Sequence, residues 1–298
     1  MSPGPEGPPG QPDADRALAP ALRAILADRG ALAGRLTLLA LLLAPIGFWL
    51  IRPSVGVLAA AGLLLPALAR RTAFWLVLAA LAALRVVWDW PLSDNHAYLL
   101  ALWCLALGLA CGAAAPGPVL ASSARWLVGL TFALATLQKA VISPDYLDDT
   151  FFRWALAVDE RFEDLGLLLG RDAEALERTR ALLEAEPGET PDETAAFVET
   201  PALRAAATAM TWATLLAEGA VALVFLAPAR LRVAWLRDAA LLVFCVGTYA
   251  VAPVAGFGWL LLAMGVAQGR GPRALAGYLA AFALLLFYRE IPWVRLLL

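Results

Sequence analysis

An all-α bundle of about eight to nine transmembrane helices, with an N-terminal amphipathic helix and a helical extracytoplasmic loop, is the fold class this sequence predicts. Three observations predict it. Hydrophobic residues make up 61% of the 298 and charged residues only 16%, against roughly half and a quarter in soluble domains. The apolar residues come in long blocks instead of alternating with polar ones. Between the blocks stand arginines.

Residues 1–15, MSPGPEGPPGQPDAD, are proline, glycine and acid, and such a segment buries too little apolar surface to order itself. No apolar run begins before Leu36, too late for a secretory signal, so the chain is expected to stay embedded and uncut. Residues 16–35 alternate Leu and Ala with Arg and Asp at helical spacing, which predicts an amphipathic helix on the membrane surface. The transmembrane region is expected over 36–298. Its spans read Leu36–Ile51, Ser54–Ala69, Thr72–Trp88, His96–Ala113, Trp126–Ile142, Ala205–Leu226, Ala239–Ala252, Ala255–Ala267 and Leu275–Phe287. Pro253 marks either a kink in one long helix or a turn between two.

Arginine placement sets the orientation. With a cytoplasmic N-terminus, the inner loops hold Arg35, Arg70, Arg71, Arg125, Arg230, Arg237 and Arg273 among others, and the short outer loops hold Arg52 alone. The expected location is therefore a plasma (inner) membrane, multi-pass, with the N-terminus cytoplasmic. The 143–204 loop then lies outside. Tyr146 to Gly170 mixes Phe151, Phe152 and Trp154 with acids, which suits an interfacial helix. Arg171 to Thr200 is acidic, carries the pair Glu174–Arg178, and reads either as a solvated cap or as a lid over a cavity.

Cys104, Cys111 and Cys245 all sit inside apolar blocks, and with one histidine in the chain there is no metal-ligand pattern. They read as small hydrophobes. A net charge of −2 without a basic stripe gives no nucleic-acid signal.

Ionisable groups inside spans are costly and mark cavities or partners. Arg85 stands four residues before Asp89, so the two can pair. His96, following Asn95 at the outer start of the fourth span, is the only imidazole and can donate or accept near neutral pH. Lys139 is the only lysine beside 22 arginines. It is the one basic group able to give up its proton, and it lies ~5 Å inside the outer boundary. Glu218, measured from Ala205, is expected ~20 Å deep and so out of reach of Lys139 unless tilt or a shifted boundary closes the gap. Arg85, His96 and Lys139 approach one outer layer from three consecutive spans.

The segment Asp94-Asn95-His96-Ala97-Tyr98-Leu99 resembles the NH-x-YL helix start of the vitamin K-dependent gamma-carboxylase family, whose membrane region is shared by bacterial HTTM (horizontally transferred transmembrane) proteins. Leu137-Gln138-Lys139, followed by Ser143-Pro144-Asp145-Tyr146-Leu147, resembles the helix that ends in that family's essential lysine. The resemblance covers roughly residues 36 to 287. It implies Lys139 as the base that deprotonates a reduced, vitamin K-like quinone and His96 as its hydrogen-bonding partner. Asn95, Arg85 and Glu218 then become candidate ligand-binding residues, and no metal is needed. Two departures stand out. The family's seventh-span histidine is replaced here by Cys245 and Thr248, and its β-rich extramembrane domain has no counterpart. These point away from protein glutamate carboxylation and toward a lipophilic substrate, or toward a separate extracytoplasmic partner chain. The alternative is a non-catalytic membrane subunit or transporter-like binder of a lipophilic ligand, with lipids as the general partner.

Overall fold

The computed structural model describes residues 28–159 and 200–290, save Pro45, Leu92, Asp94, Arg232, Pro253 and Arg270, together with Phe162, Leu165 and Leu169. The expected N-terminal tail, most of the amphipathic helix and the acidic stretch with Glu174–Arg178 lie outside the described residues.

Twelve α-helices and no strands form among the described residues. In chain order they are α1 (Arg29–Leu43), α2 (Ile51–Leu64), α3 (Pro66–Ala69), α4 (Thr72–Trp88), α5 (Asn95–Cys111) and α6 (Pro116–Leu137). Then follow α7 (Pro144–Leu147), α8 (Thr150–Val158), α9 (Pro201–Leu226), α10 (Ala234–Val251), α11 (Ala255–Gln268) and α12 (Gly271–Glu290). The last turn of α6 widens into a π-helical turn, Gln138–Ile142.

Local chemistry sets the boundaries, and several differ from those the hydropathy predicts. The first helix begins at Arg29 because the Asp28 carboxylate accepts from Ala31 N at 3.0 Å, an N-cap that satisfies an orphan amide. Residues 29–35 therefore belong to a helix with Leu32, Ala33 and Leu36 buried, and the expected boundary between surface helix and first span at 35/36 is absent. Pro66 ends α2 early. Pro116 at the first position starts α6 ten residues before Trp126, so Arg125 stands within the helix instead of a loop. Thr200, whose hydroxyl accepts from Leu203 N at 3.2 Å, and Pro201 start α9. Between Val251 and Ala255 one helix ends and the next begins. Tyr249 packs against Phe257, and Gly269 lies beside Asp238, so α10 and α11 are antiparallel neighbours.

The helix α11 is apolar all round, and every residue from Gly258 to Ala267 is buried, as such a helix must be. It packs against α1, α6, α10 and α12. Close approach to α12 depends on Gly265: a Cβ there would lie 2.3 Å from the Tyr278 ring. Tyr278 Oη donates to Asp238 Oδ1 at 2.8 Å and Gln268 Nε2 donates to the same oxygen at 2.9 Å, which ties α10, α11 and α12 together.

Helices α6 and α9 run antiparallel in a register read from four pairs. Arg125 reaches the carbonyls of Phe225 and Ala227, each at 2.8 Å. Gly129 lies under Leu226, Gly219 faces Thr136, and Lys139 meets Glu218. Continuing that register, the first half of α9 extends past the end of α6 and packs on α8, with Tyr146, Phe152, Leu156, Leu203 and Leu215 in a satellite core. As far as Val158, the segment from Tyr146 expected as an interfacial helix forms parts of two short helices, α7 and α8, packed with α9 in that core.

Two helical stretches, Pro116–Ile142 and Pro201–Leu226, are long and apolar enough to cross a membrane. Large apolar side chains also point outward. Trp49 and Leu64 are each 80% exposed, Leu223 75% and Val243 73%.

Candidate functional site

At the end of the bundle opposite Arg125, the five site residues predicted from sequence fall into two groups joined by one hydrogen bond. The first group centres on Lys139. It lies in the π-helical turn, where an extra residue per turn re-aims side chains, a device common at functional sites. Its Nζ donates to Glu218 Oε1 and stands 5.2 Å from the centroid of the Tyr146 ring. The Lys139 side chain is 24% exposed and that of Glu218 10%. The amine is thus partly shielded and paired, and does not reach freely into water.

The pairing corrects the expected depth of Glu218. Depth counted from the start of the sixth span fails because α9 has 26 residues, ~39 Å of helix, and its first half lies beyond α6, against α7 and α8. Opposite charges among apolar helices neutralise each other, which is how both are tolerated there.

Glu218 Oε2, Tyr146 Oη and Thr211 Oγ1 are buried and make no hydrogen bond of standard geometry. Thr211 and Glu218 are two turns apart on the buried stripe of α9. Burial pushes the Tyr146 phenol above its ordinary range. Thr214 opposes that shift and the Glu218 charge adds to it, so the ring keeps its proton at neutral pH. The buried Glu218 Oε2, left over from the ion pair, gives this group spare hydrogen-bonding capacity.

The second group lines a cavity of about 240 Å³ between α1, α4, α5 and α11. His96 and Arg85 supply its polar wall, and Ala40, Leu41, Leu100, Phe257 and Leu260 supply most of the apolar remainder. Thr37 also faces it, but its hydroxyl is engaged, donating to Ala33 O at 2.8 Å and accepting from Trp103 Nε1 at 2.9 Å. The Arg85 Nε donates to Asp89 Oδ2 at 3.1 Å, the four-apart pair the spacing predicts. The imidazole lies against the Phe257 ring, centroids 5.8 Å apart.

Asn95 bridges the groups, its Nδ2 donating to Gln138 Oε1 at 3.4 Å. The immediate neighbours of His96 and Lys139 are therefore in contact across α5 and α6. Phe257 touches His96 on one side and Tyr249 on the other. Lys139 is not among the residues lining the His96 cavity, so the structure brings both residues to one end of the bundle but not into one wall. Reading the sequence alone misses Phe257 and Thr211. Thr211 has a signal, its seven-residue spacing from Glu218; Phe257 has none, because it arrives from a distant helix.

Compared with protein-family models, with curated proteins and with solved structures, the chain matches none.

Proposed function

We propose that this chain is a multi-pass membrane protein that binds a lipophilic, carbonyl-bearing ring in the cavity walled by His96, Arg85 and Phe257. The observation that carries the reading is the composition of that wall: apolar on most sides, with an imidazole and a guanidinium together on one. Ligand sites commonly combine an apolar body with a few placed polar groups. The volume, about 240 Å³, falls below the roughly 300–1,000 Å³ of sites for drug-sized ligands, which suits a ring head with its chain running into lipid. A quinone fits that description. When bound it supplies redox chemistry, while His96 and Arg85 offer donors to its oxygens.

The membrane reading is supported by the outward-facing tryptophans, leucines and valines, which water would penalise and hydrocarbon would not. In this reading nine of the helices (α1, α2, α4, α5, α6, α9, α10, α11 and α12) serve as the spans. Arg29, Arg125 and Arg237 bond to chain carbonyls at one end. That end is read as cytoplasmic by the positive-inside rule, which puts the candidate site on the outer side.

A second, narrower reading has specific support. Lys139 is shielded, sits in a π-turn, and is linked to His96 through Asn95–Gln138, the layout expected if it is the base of an HTTM-like or carboxylase-like enzyme. Here the chain's own work would be to hold the ring, exclude water, and take a proton at Lys139 Nζ once its ammonium has passed a proton to the paired Glu218 carboxylate.

The direct experiment is to extract and identify the lipids that co-purify with the protein. A quinone or related lipophilic ring should accompany the wild type and be lost from Ala97→Phe, which fills the cavity. Finding no such compound in either preparation, with membrane insertion intact, contradicts the reading.

A further inference from the structure

Where α1 begins, remote from His96, a second and larger cleft of about 550 Å³ opens between α1, α4, α5 and α6. Its floor is apolar. Trp75 is buried there, held by donating Nε1 to Ala69 O at 2.7 Å, with Leu107 and Leu120 beside it. Its rim carries Arg29, Arg35 and Arg70 together with Asp28.

Two of these charges are already engaged. Asp28 caps α1, and Arg29 donates to the carbonyls of Gly269 and Gly271. Arg35 differs. It lies nearly two turns inside α1, half-buried between the buried Gly34 and Leu36, and makes no hydrogen bond or ion pair with the described residues. A guanidinium keeps its charge under all ordinary conditions, and a charge partly withdrawn from water calls for a counter-charge. An apolar slot with unpaired cations at its mouth is complementary to an amphiphile carrying an acyl chain and an anionic head.

We infer that this cleft holds an anionic phospholipid, its phosphodiester on Arg35 and Arg70 and the upper part of one chain over Trp75 and Leu107. The inference rests on the membrane reading above, in which this end faces the leaflet that carries anionic lipid, and it is independent of the His96 cavity. A free phosphate would satisfy the arginines but leave the apolar floor uncovered, so the lipid is the occupant chosen.

The test uses the full chain in neutral detergent with dioleoylphosphatidylglycerol, dioleoylphosphatidylcholine and inorganic phosphate as probes, read by native mass spectrometry and by the thermal midpoint. Phosphatidylglycerol should bind about ten-fold more tightly than phosphatidylcholine, each arginine adding several-fold. Arg35→Gln should cut that preference to about three-fold, the share left to Arg70. Gly117→Phe should weaken retention with every arginine in place, since a Cβ at Gly117 meets nothing within 4 Å and the ring can enter the cleft. Equal retention by wild type and both variants overturns the inference. So does inorganic phosphate stabilising the protein as much as phosphatidylglycerol does. A chain that stays in solution without detergent overturns the membrane reading and this inference together, whereas a membrane-bound chain without lipid preference overturns the inference alone.

Discussion

Lys139 and Glu218, 79 residues apart in the chain, close an ion pair between α6 and α9 at the level where α9 passes the end of its partner helix. The pair joins the two longest apolar helices in the register that Arg125, Gly129 and Gly219 also mark.

Breaking the pair from one side should be costly. Removing one member of a fully buried pair costs about 3–5 kcal/mol. With the amine partly exposed, Lys139→Met or Glu218→Leu should each cost about 2–3 kcal/mol. The double variant should recover most of that, because two apolar residues replace two neutralised charges. Unfolding midpoints of the four proteins in detergent check this. Strictly additive losses would show that the pair contributes no coupling.

Lys139→Arg separates charge from proton transfer. Arginine keeps the cation beside Glu218 but does not deprotonate, so the midpoint should stay close to wild type. If Lys139 acts as a base, epoxide formation from menadiol and oxygen should fall to the protein-free rate. Unchanged turnover would remove Lys139 from the chemistry.

Packing at the central helix gives a prediction independent of the site. Gly265→Ala places a methyl 2.3 Å from the Tyr278 ring, and overpacking of this kind costs about 1–3 kcal/mol. The thermal midpoint should drop accordingly. A neutral result would mean that α11 and α12 are less tightly joined than described.

Much of the fold was legible in the sequence because hydrophobic blocks and arginine punctuation carry it. Thr72–Trp88 is predicted to the residue, whereas the expected span Leu36–Ile51 leaves the helix after Leu43 and Ser54–Ala69 is broken at Leu65. Ends were less legible. Asp28 starts a helix by capping inside a stretch that reads as one amphipathic helix, and Pro116 and Thr200 start helices by proline geometry and capping within stretches that read as loop. The site was legible in part. Arg85–Asp89 follows from four-residue spacing, and the singularity of Lys139 and His96 marks them as residues to examine. The Lys139–Glu218 contact was hidden because depth along a helix is measurable only once its start is known relative to its neighbour. Phe257 was hidden because only tertiary packing brings α11 beside α5.

Outside the spans, Asp148 gives a signed pH effect. Hydrogen bonding from Thr150, side chain first and then the backbone amide at 3.1 Å, holds its carboxyl below the ordinary value of 3.8. A folded-state value lower than the unfolded one contributes stability that is present above 3.8 and is lost as pH falls through the lowered value. Asp148→Asn should therefore flatten the acid-side dependence of α8 protection in hydrogen exchange and lower protection slightly at neutral pH, where the carboxylate's contribution is lost. The same acid slope in the variant would assign the dependence to another group.

The most direct measurement is the affinity of the purified protein for menadione, a ring without a long chain, compared between wild type and His96→Phe. Saturable binding by the wild type, weakened about ten-fold by loss of the imidazole donor, about 1.4 kcal/mol, is the predicted result. Binding of equal strength by both proteins, or none by the wild type, would contradict a ring site between His96, Arg85 and Phe257.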